Sequence, residues 1–385
     1  MRALLFATTT GFALASTLPA QSAPSIKSSA IKLVPGVTLV QTLHTPVGDR
    51  ESLVTIARVD RTGIAYLWSL VEVHHNGDTI KAATQITVKA EDLAKATRLR
   101  ESIDRNVTEY PGYTSFSLST AVYQQLVTQG TAPYAIRADE ERNAAGLAGR
   151  VSTRPVLVLW RGTLTRASSK LEQFPLIVNG RRVMVPALRV RGQFTAARQR
   201  RWNPDIWVLA DSTNPLLLKA TRFANTWQTV RIDYGIADGI PGGEGELKGA
   251  GRPLRPGSAD DLAAMLAREC RVELPGIYFA FNSAALYETS DPALAALASV
   301  LNRHPDWIAT IEGHTDSIGT LEANKLLSQR RAEAVRDRLI SQHRIANKRL
   351  RAAGFGESRP RETNATIEGR ARNRRVELVR QCSGT

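Results

Sequence analysis

Residues 307–342 read WIATIEGHTDSIGTLEANKLLSQRRAEAVRDRLISQ. Residues 307–312 alternate between two faces as a half-buried strand does, and a loop with a glycine follows them. From about residue 321 to residue 342, apolar side chains recur at helical spacing, which predicts one long amphipathic helix. A strand that leads through a short loop into a packed helix is the unit from which α/β layers are built.

The segments around this unit extend the same alternation. Residues 277–282, 350–355 and 374–379 have the composition of strands, and a helix is predicted between Ser290 and Pro305. We therefore predict a βαβαββ sandwich over residues 258–385, in a chain that is α+β overall.

The long helix carries an arginine on its apolar face. Arg331 and Asn324 share the face of Leu327, Val335 and Leu339, whereas the opposite face carries Gln329, Glu333, Arg336 and Asp337. A charge that points toward a core needs a partner, because its desolvation alone costs several kcal/mol.

The obvious candidate partner is Asp316, which ends the second strand and can lie beside the first turns of the helix. Two interpretations are open: a structural ion pair between Asp316 and Arg331, or a receptor for a zwitterion. In the receptor, Arg331 would hold a carboxylate and Asp316 would accept hydrogen bonds from an ammonium of the same ligand.

Six motifs of the last third of the chain occur together and in a fixed order. They are residues 277–283 (IYFAFNS), residues 312–316 (EGHTD), Asn324 with residues 327–332 (LSQRRA), residues 354–356 (GFG) with Pro360, Asn364, and residues 369–377 (GRARNRRVE). In these motifs, residues 270–385 resemble the OmpA-like peptidoglycan-binding domain.

The resemblance implies non-covalent binding of the peptide stem of the cell wall at meso-diaminopimelate, which carries an amino and a carboxyl group at its side-chain end. It implies that Asp316 meets the ammonium and Arg331 the carboxylate. It also implies hydrogen bonds from Asn282 and Asn324, and a contribution from the backbone of residues 315–319, which begin with Thr315. No catalytic residue, metal ligand or cofactor is expected.

The chain departs from the family pattern at two positions, since relatives often have Asp at Ala280 and a polar residue at Ile318. Asn373, Arg374 and Arg375 form the family's Asn-Arg-Arg signature, and we interpret them mainly as structural residues.

The N-terminus predicts an exported protein. A short basic start, an apolar stretch and small residues near position 23 are typical of a signal peptide, which we place at residues 1–23. No later run approaches 18 apolar residues, so no transmembrane helix is expected. With the resemblance, this predicts a periplasmic protein of a Gram-negative bacterium, associated with the cell wall and with the outer membrane as a further possibility. Export also argues against a nucleic-acid partner.

The two cysteines bracket the C-terminal domain. Cys270 lies before its first strand and Cys382 after its last. Outside the cytoplasm a disulfide bond between them is the simplest expectation, and two free thiols are the alternative.

Residues 24–234 predict a mainly antiparallel β domain. Hairpins are expected at residues 53–59 with 64–73, at residues 174–178 with 181–185 across Asn179-Gly180, and at residues 206–210 with 216–223. Short helices are expected near residues 90–102 and 120–128. Eight glycines and three prolines in residues 235–257 predict a linker.

The positive charge lies mostly before this linker. Residues 1–258 hold 32 basic and 20 acidic side chains, against 19 and 16 in residues 259–385, which together give the net charge of +15. Seven arginines within a stretch without acidic residues suggest a surface for outer-membrane components or anionic envelope polymers, or simply a solvated hairpin. They are Arg181, Arg182, Arg189, Arg191, Arg198, Arg200 and Arg201.

We predict a binding protein that anchors the envelope and is not an enzyme. Two alternatives remain open at this point: an envelope hydrolase that the wall-binding domain targets, and an outer-membrane β-barrel with a wall anchor.

Overall fold

A computed structural model describes residues 23–46, 48–73, 79–101, 108–139, 157–234 and 259–382. Within these ranges the chain forms two β-sheets, one from residues 37–234 and one from residues 271–380. The predicted signal peptide (residues 1–23, apart from position 23 itself) and the predicted linker (residues 235–257) lie outside the described residues. None of the described helices is long and apolar enough to cross a membrane.

The larger sheet contains thirteen described strands, and most neighbours along it are antiparallel. The strands are β1 (Val37–Thr45), β2 (Gly48–Asp60), β3 (Gly63–Val73), β4 (Thr79–Lys89), β5 (Arg98–Arg100), β6 (Thr131–Asp139), β7 (Leu157–Arg166), β8 (Glu172–Val178), β9 (Arg181–Ala196), β10 (Arg200–Trp202), β11 (Asp205–Leu209), β12 (Leu217–Arg222) and β13 (Asn225–Tyr234).

The order along the sheet is β4-β3-β2-β1-β13-β12-β11-β9-β7-β6-β5, with β10 beside β9 and β8 between β13 and β9. Two apolar clusters are buried on it. One is centred on Leu39, Ile86, Leu176 and Ile232, and the other on the aromatic group around Phe194.

The three predicted hairpins are confirmed. Asn179 and Gly180 have φ values of 48° and 73°, and β8 pairs with β9 directly across them. Both residues of such a two-residue turn must adopt positive φ, and asparagine and glycine do so most easily.

The helix predicted at residues 120–128 is confirmed as α2 (Thr120–Gln129), where the Ser119 hydroxyl accepts a hydrogen bond from the Val122 amide. The helix predicted near residues 90–102 is shorter than expected. It spans only α1 (Ala90–Lys95), because the chain then enters β5, which pairs in parallel with β6.

The smaller sheet has the strand order β14-β17-β15-β16, which confirms the predicted α/β sandwich. Its elements are α3 (Ala259–Glu269), β14 (Arg271–Glu273), α4 (Asp291–Arg303), β15 (Ala309–Gly313), α5 (Leu321–His343), β16 (Leu350–Gly354), α6 (Ile367–Asn373) and β17 (Val376–Arg380). The sequence did not indicate α6, a seven-residue helix between the last two strands.

The prediction of a strand at residues 277–282 is wrong. The first strand of this sheet is β14, and the later segment forms only a single bridge between Phe279 and Leu286. Its backbone bonds are made locally, since the Ala280 amide donates to the Ala285 carbonyl and the Tyr287 amide donates to the Tyr278 carbonyl. The apolar composition of this segment therefore belongs to a largely buried loop and not to a strand.

The two sheets pack against each other through a shared apolar cluster. Its buried members are Val40, Leu53, Ile177 and Val230 from the larger sheet, and Tyr278, Ala280, Tyr287 and Ala371 from the C-terminal part. At its edge the Tyr278 hydroxyl donates a hydrogen bond of 2.7 Å to Asp233. Arg182 lies 3.3 Å from Glu362 across the same boundary. The two parts of the chain are thus joined by apolar packing and by polar pairs.

The expected disulfide is present. Cys270 and Cys382 are bonded, with their Cα atoms 6.1 Å apart, and the bond joins the end of α3 to the segment that follows β17. It closes the α/β sandwich at the side away from the loop after β15.

Candidate functional site

Asp316 lies in the loop between β15 and α5, beside the first turn of the helix. Its Oδ1 accepts a hydrogen bond of 3.0 Å from the amide of Ile318. The helix starts at Thr320, whose hydroxyl accepts from the amide of Ala323 and satisfies one of its free N–H groups. Asp316 is buried, with 6% of its surface exposed.

Arg331 is buried on the inner face of α5, as its position on the helix predicts. Its Nε donates to the Ser283 carbonyl at 2.9 Å, and its Nη2 donates to the Ala280 carbonyl at 3.3 Å. Among the described residues, no carboxylate oxygen lies within 4.0 Å of this guanidinium. Burial lowers the pKa of Arg331 to about 10. The structure therefore does not contain the Asp316–Arg331 ion pair that the sequence left open.

The three remaining predicted site residues lie around these two. Asn324 donates from Nδ2 to the Asp316 carbonyl at 3.1 Å and to Glu357 at 2.7 Å, which uses both of its amide hydrogens. Thr315 is buried, and its hydroxyl has no hydrogen-bond partner among the described residues. Asn282 is exposed and adopts a positive φ of 48°.

The carboxylate of Asp316 is paired instead with Arg374. Nη1 of Arg374 lies 2.5 Å from Asp316 Oδ2, and its Nη2 lies 2.5 Å from Glu51 Oε1. It also lies 3.4 Å from Asp49. Burial opposes the charge on Arg374, but the carboxylates of Glu51, Asp316 and Asp49 outweigh it and raise the pKa of the guanidinium. Sequence reasoning assigned Arg374 a mainly structural role and missed this position in the site.

These groups enclose a cavity of about 250 Å³. All five predicted site residues line the cavity. Three of them, Asp316, Asn324 and Arg331, make the hydrogen bonds just described. Further lining residues come from the larger sheet, namely Asp49, Glu51 and Arg231. No pattern in the sequence connected these three with the C-terminal part, although Asp49 and Glu51 must share one face of β2 because they are two residues apart.

A second polar cluster adjoins the cavity, and its His314 belongs to the lining. Potential ligand atoms of Glu312, His314 and Glu377 are within 4.8 Å of one another. Burial, together with nearby arginines such as Arg375, lowers the pKa of His314 to about 3. Arg375 also contacts Glu377 at 2.6 Å, and Arg271 contacts Glu312 at 2.8 Å. Guanidinium groups thus already supply the positive charge that a metal ion would bring, so this cluster is best explained as a structural network.

The seven arginines of the basic stretch do not form one surface. Arg182 pairs with Glu362 of the C-terminal part, and Arg189 and Arg191 both pair with Asp205 on the adjacent strand. The three arginines beyond the other end of β9 lie far from Arg182. They are Arg198, Arg200 and Arg201.

Comparison with known proteins places the C-terminal part in a family. Residues 278–374 match the OmpA family. Outer membrane porin F of Pseudomonas aeruginosa is 46% identical over 112 residues, which make up 29% of this chain and 32% of the porin. The chain therefore spans about a third of the length of this relative.

A shorter relative is covered more completely. The peptidoglycan-associated lipoprotein of Mesorhizobium japonicum is 34% identical over 130 residues, which are 34% of this chain and 72% of the lipoprotein. The crystal structure of the peptidoglycan-associated lipoprotein from Burkholderia pseudomallei aligns with 27% of this chain and 88% of its own, at 35% identity and a TM-score of 0.26. By the family match and the coverage of the lipoprotein, the chain belongs to the OmpA family through its C-terminal part.

Proposed function

We propose that this chain binds peptidoglycan non-covalently in a Gram-negative envelope, and that its C-terminal pocket receives the side-chain end of meso-diaminopimelate. The observation that carries the proposal is that two opposite charges, not paired with each other, line the same cavity. Asp316 offers a carboxylate and Arg331 a buried guanidinium without a carboxylate partner among the described residues. A ligand with an ammonium and a carboxylate on one carbon complements both.

Each residue has a distinct part in this proposal. Arg331 binds the ligand carboxylate, because a guanidinium is a fixed fork of donors that matches a carboxylate. Asp316 accepts from the ammonium, and the unpartnered hydroxyl of Thr315 offers a further hydrogen bond. Asn324 acts as a positioning residue, because its amide hydrogens already hold the Asp316 loop. Asn282 stands at the exposed side of the cavity.

The relatives support the wider setting of this proposal. The two relatives described above are named as an outer membrane porin and a peptidoglycan-associated lipoprotein. We therefore propose an anchoring role in the periplasm rather than enzymatic activity. The division into residues 24–234, a linker at 235–257 and a binding domain at 258–385 is part of the same proposal. A surface for anionic polymers remains a prediction for Arg198, Arg200 and Arg201 only.

Sedimentation with purified sacculi tests the proposed site. The parent protein is expected to sediment with sacculi, and Asp316→Asn and Arg331→Ala are each expected to weaken binding by about 10- to 100-fold. Loss of a hydrogen bond to a charged group costs roughly 1.5–3 kcal/mol, which corresponds to this range.

The matched control is Arg330→Ala, which removes the neighbouring exposed arginine of the same helix. It is expected to sediment like the parent. Arg331→Lys keeps the charge but not the fork, and should bind with intermediate strength. The assigned site is wrong if Arg331→Ala, shown to be folded by its thermal transition, sediments as completely as the parent.

A further inference from the structure

One side of the cavity is formed by the larger sheet. Glu51 and Asp49 on β2 and Arg231 on β13 line it together with the residues of the C-terminal part. The β1–β2 hairpin also reaches the rim, since a Cβ added at Gly48 would lie 3.8 Å from the side chain of Ile318. The hairpin therefore contacts the site directly, although Glu51 and Asp316 are 265 positions apart in the sequence.

The hairpin is held in this position by buried contacts. Both oxygens of Asp49 accept hydrogen bonds from Arg370 of α6, at 2.8 and 3.0 Å, and one of them is 2.6 Å from His44. Below them lies the apolar cluster that joins the two sheets. The side of the cavity that the hairpin forms is thus a packed part of the fold.

The charges from this side change what the cavity can bind. Without the larger sheet, the charged lining is Asp316 against Arg331, Arg374 and Arg375, which favours an anion. The larger sheet adds two carboxylates and one guanidinium, and so brings the lining close to electrical balance. A cavity of nearly balanced charge binds a zwitterion more favourably than it binds a simple anion.

Of the two added carboxylates, Glu51 is the one available to a ligand. The side chain of Asp49 is 2% exposed and saturated by its partners, whereas that of Glu51 is 24% exposed. Among the described residues, both hydrogen bonds that Glu51 accepts come from Arg374 and end on the same oxygen, Oε1. Arg374 therefore holds Glu51 and Asp316 on its two terminal nitrogens.

We propose, building on the function proposed above, that Glu51 is a specificity-determining residue of the cavity that receives the side-chain end of meso-diaminopimelate. Its carboxylate joins that of Asp316 in receiving the ligand ammonium, whose three N–H groups can serve more than one acceptor. The binding site is thus composite, with the larger sheet as one half. In the alternative arrangement, the β1–β2 hairpin and Glu51 oppose ligand binding. Neutralising Glu51 would then make the ligand bind more tightly.

Calorimetric titration of the full chain separates these arrangements, with free meso-diaminopimelate as the probe and pimelate as the analogue without amino groups. Glu51→Gln keeps the size of the side chain and its hydrogen bond to Arg374. It is expected to weaken diaminopimelate binding about tenfold. The ratio of the affinity for diaminopimelate to the affinity for pimelate is expected to fall as well. The control Glu91→Gln, an exposed position of α1, is expected to match the parent.

The outcomes distinguish this proposal from the function on which it rests. If the parent binds diaminopimelate and Arg331→Ala does not, while Glu51→Gln binds as well as the parent or more tightly, the composite site is refuted and the proposed function stands. If the parent itself does not bind, both are refuted. A fall in affinity without any change in the preference over pimelate would show that Glu51 is merely structural, and would also overturn the proposal.

Discussion

An Arg374→Ala variant is expected to lose about 3–5 kcal/mol of unfolding free energy, the range seen when one partner of a buried ion pair is removed. Its side chain is 15% exposed, and its guanidinium contacts Asp316, Glu51 and Asp49, which come from both parts of the chain. Alanine would leave the carboxylates of Asp316 and Glu51 close together without their shared counter-charge. Urea denaturation followed by tryptophan fluorescence measures the loss.

Two matched variants show whether the loss arises from this contact. Arg330→Ala removes an exposed arginine and is expected to stay within about 0.5 kcal/mol of the parent. Arg374→Lys retains a charge but cannot hold two carboxylates on separate nitrogens, so an intermediate loss is expected. If Arg374→Ala unfolds at the same urea concentration as the parent, Arg374 does not link the two parts.

Removal of the Cys270–Cys382 bond is expected to cost about 2–5 kcal/mol. The two cysteines are 112 positions apart, so the bond excludes many extended conformations of the unfolded C-terminal part. In the double Cys→Ser variant these conformations become accessible, and the urea midpoint should fall.

The reduced parent serves as the control for this prediction. Its midpoint should coincide with that of the double-serine variant, and the variant should not respond to reductant. A parent whose midpoint is the same with and without reductant would contradict the assigned contribution of the bond.

The features that could be predicted from the sequence are those set by local periodicity and turn chemistry. The Asn179-Gly180 turn fixed the register of one hairpin, and helical spacing placed Arg331 on the buried face of α5. The error at residues 277–282 has a physical reason, because a buried loop and a buried strand can share an apolar composition and differ in where their backbone hydrogen bonds go.

The partners of the buried charges could not be predicted from the sequence. Helical spacing indicates which face Arg331 occupies, but not that the carbonyls of Ala280 and Ser283 would meet it there. In the same way, Arg374 meets Glu51 only because the two sheets pack together. Contacts between residues so far apart in the sequence depend on the tertiary arrangement, and no local sequence pattern indicates them.

The central claim is that the pocket recognises an ammonium and a carboxylate together at one end of a wall stem. Co-sedimentation of the parent with two walls tests it most directly, one whose peptide stems carry meso-diaminopimelate with a free side-chain end and one in which lysine takes that position. Lysine presents the ammonium alone and leaves Arg331 without a carboxylate. The protein is predicted to sediment with the diaminopimelate wall and to remain in solution with the lysine wall. Equal sedimentation with both walls would contradict the account.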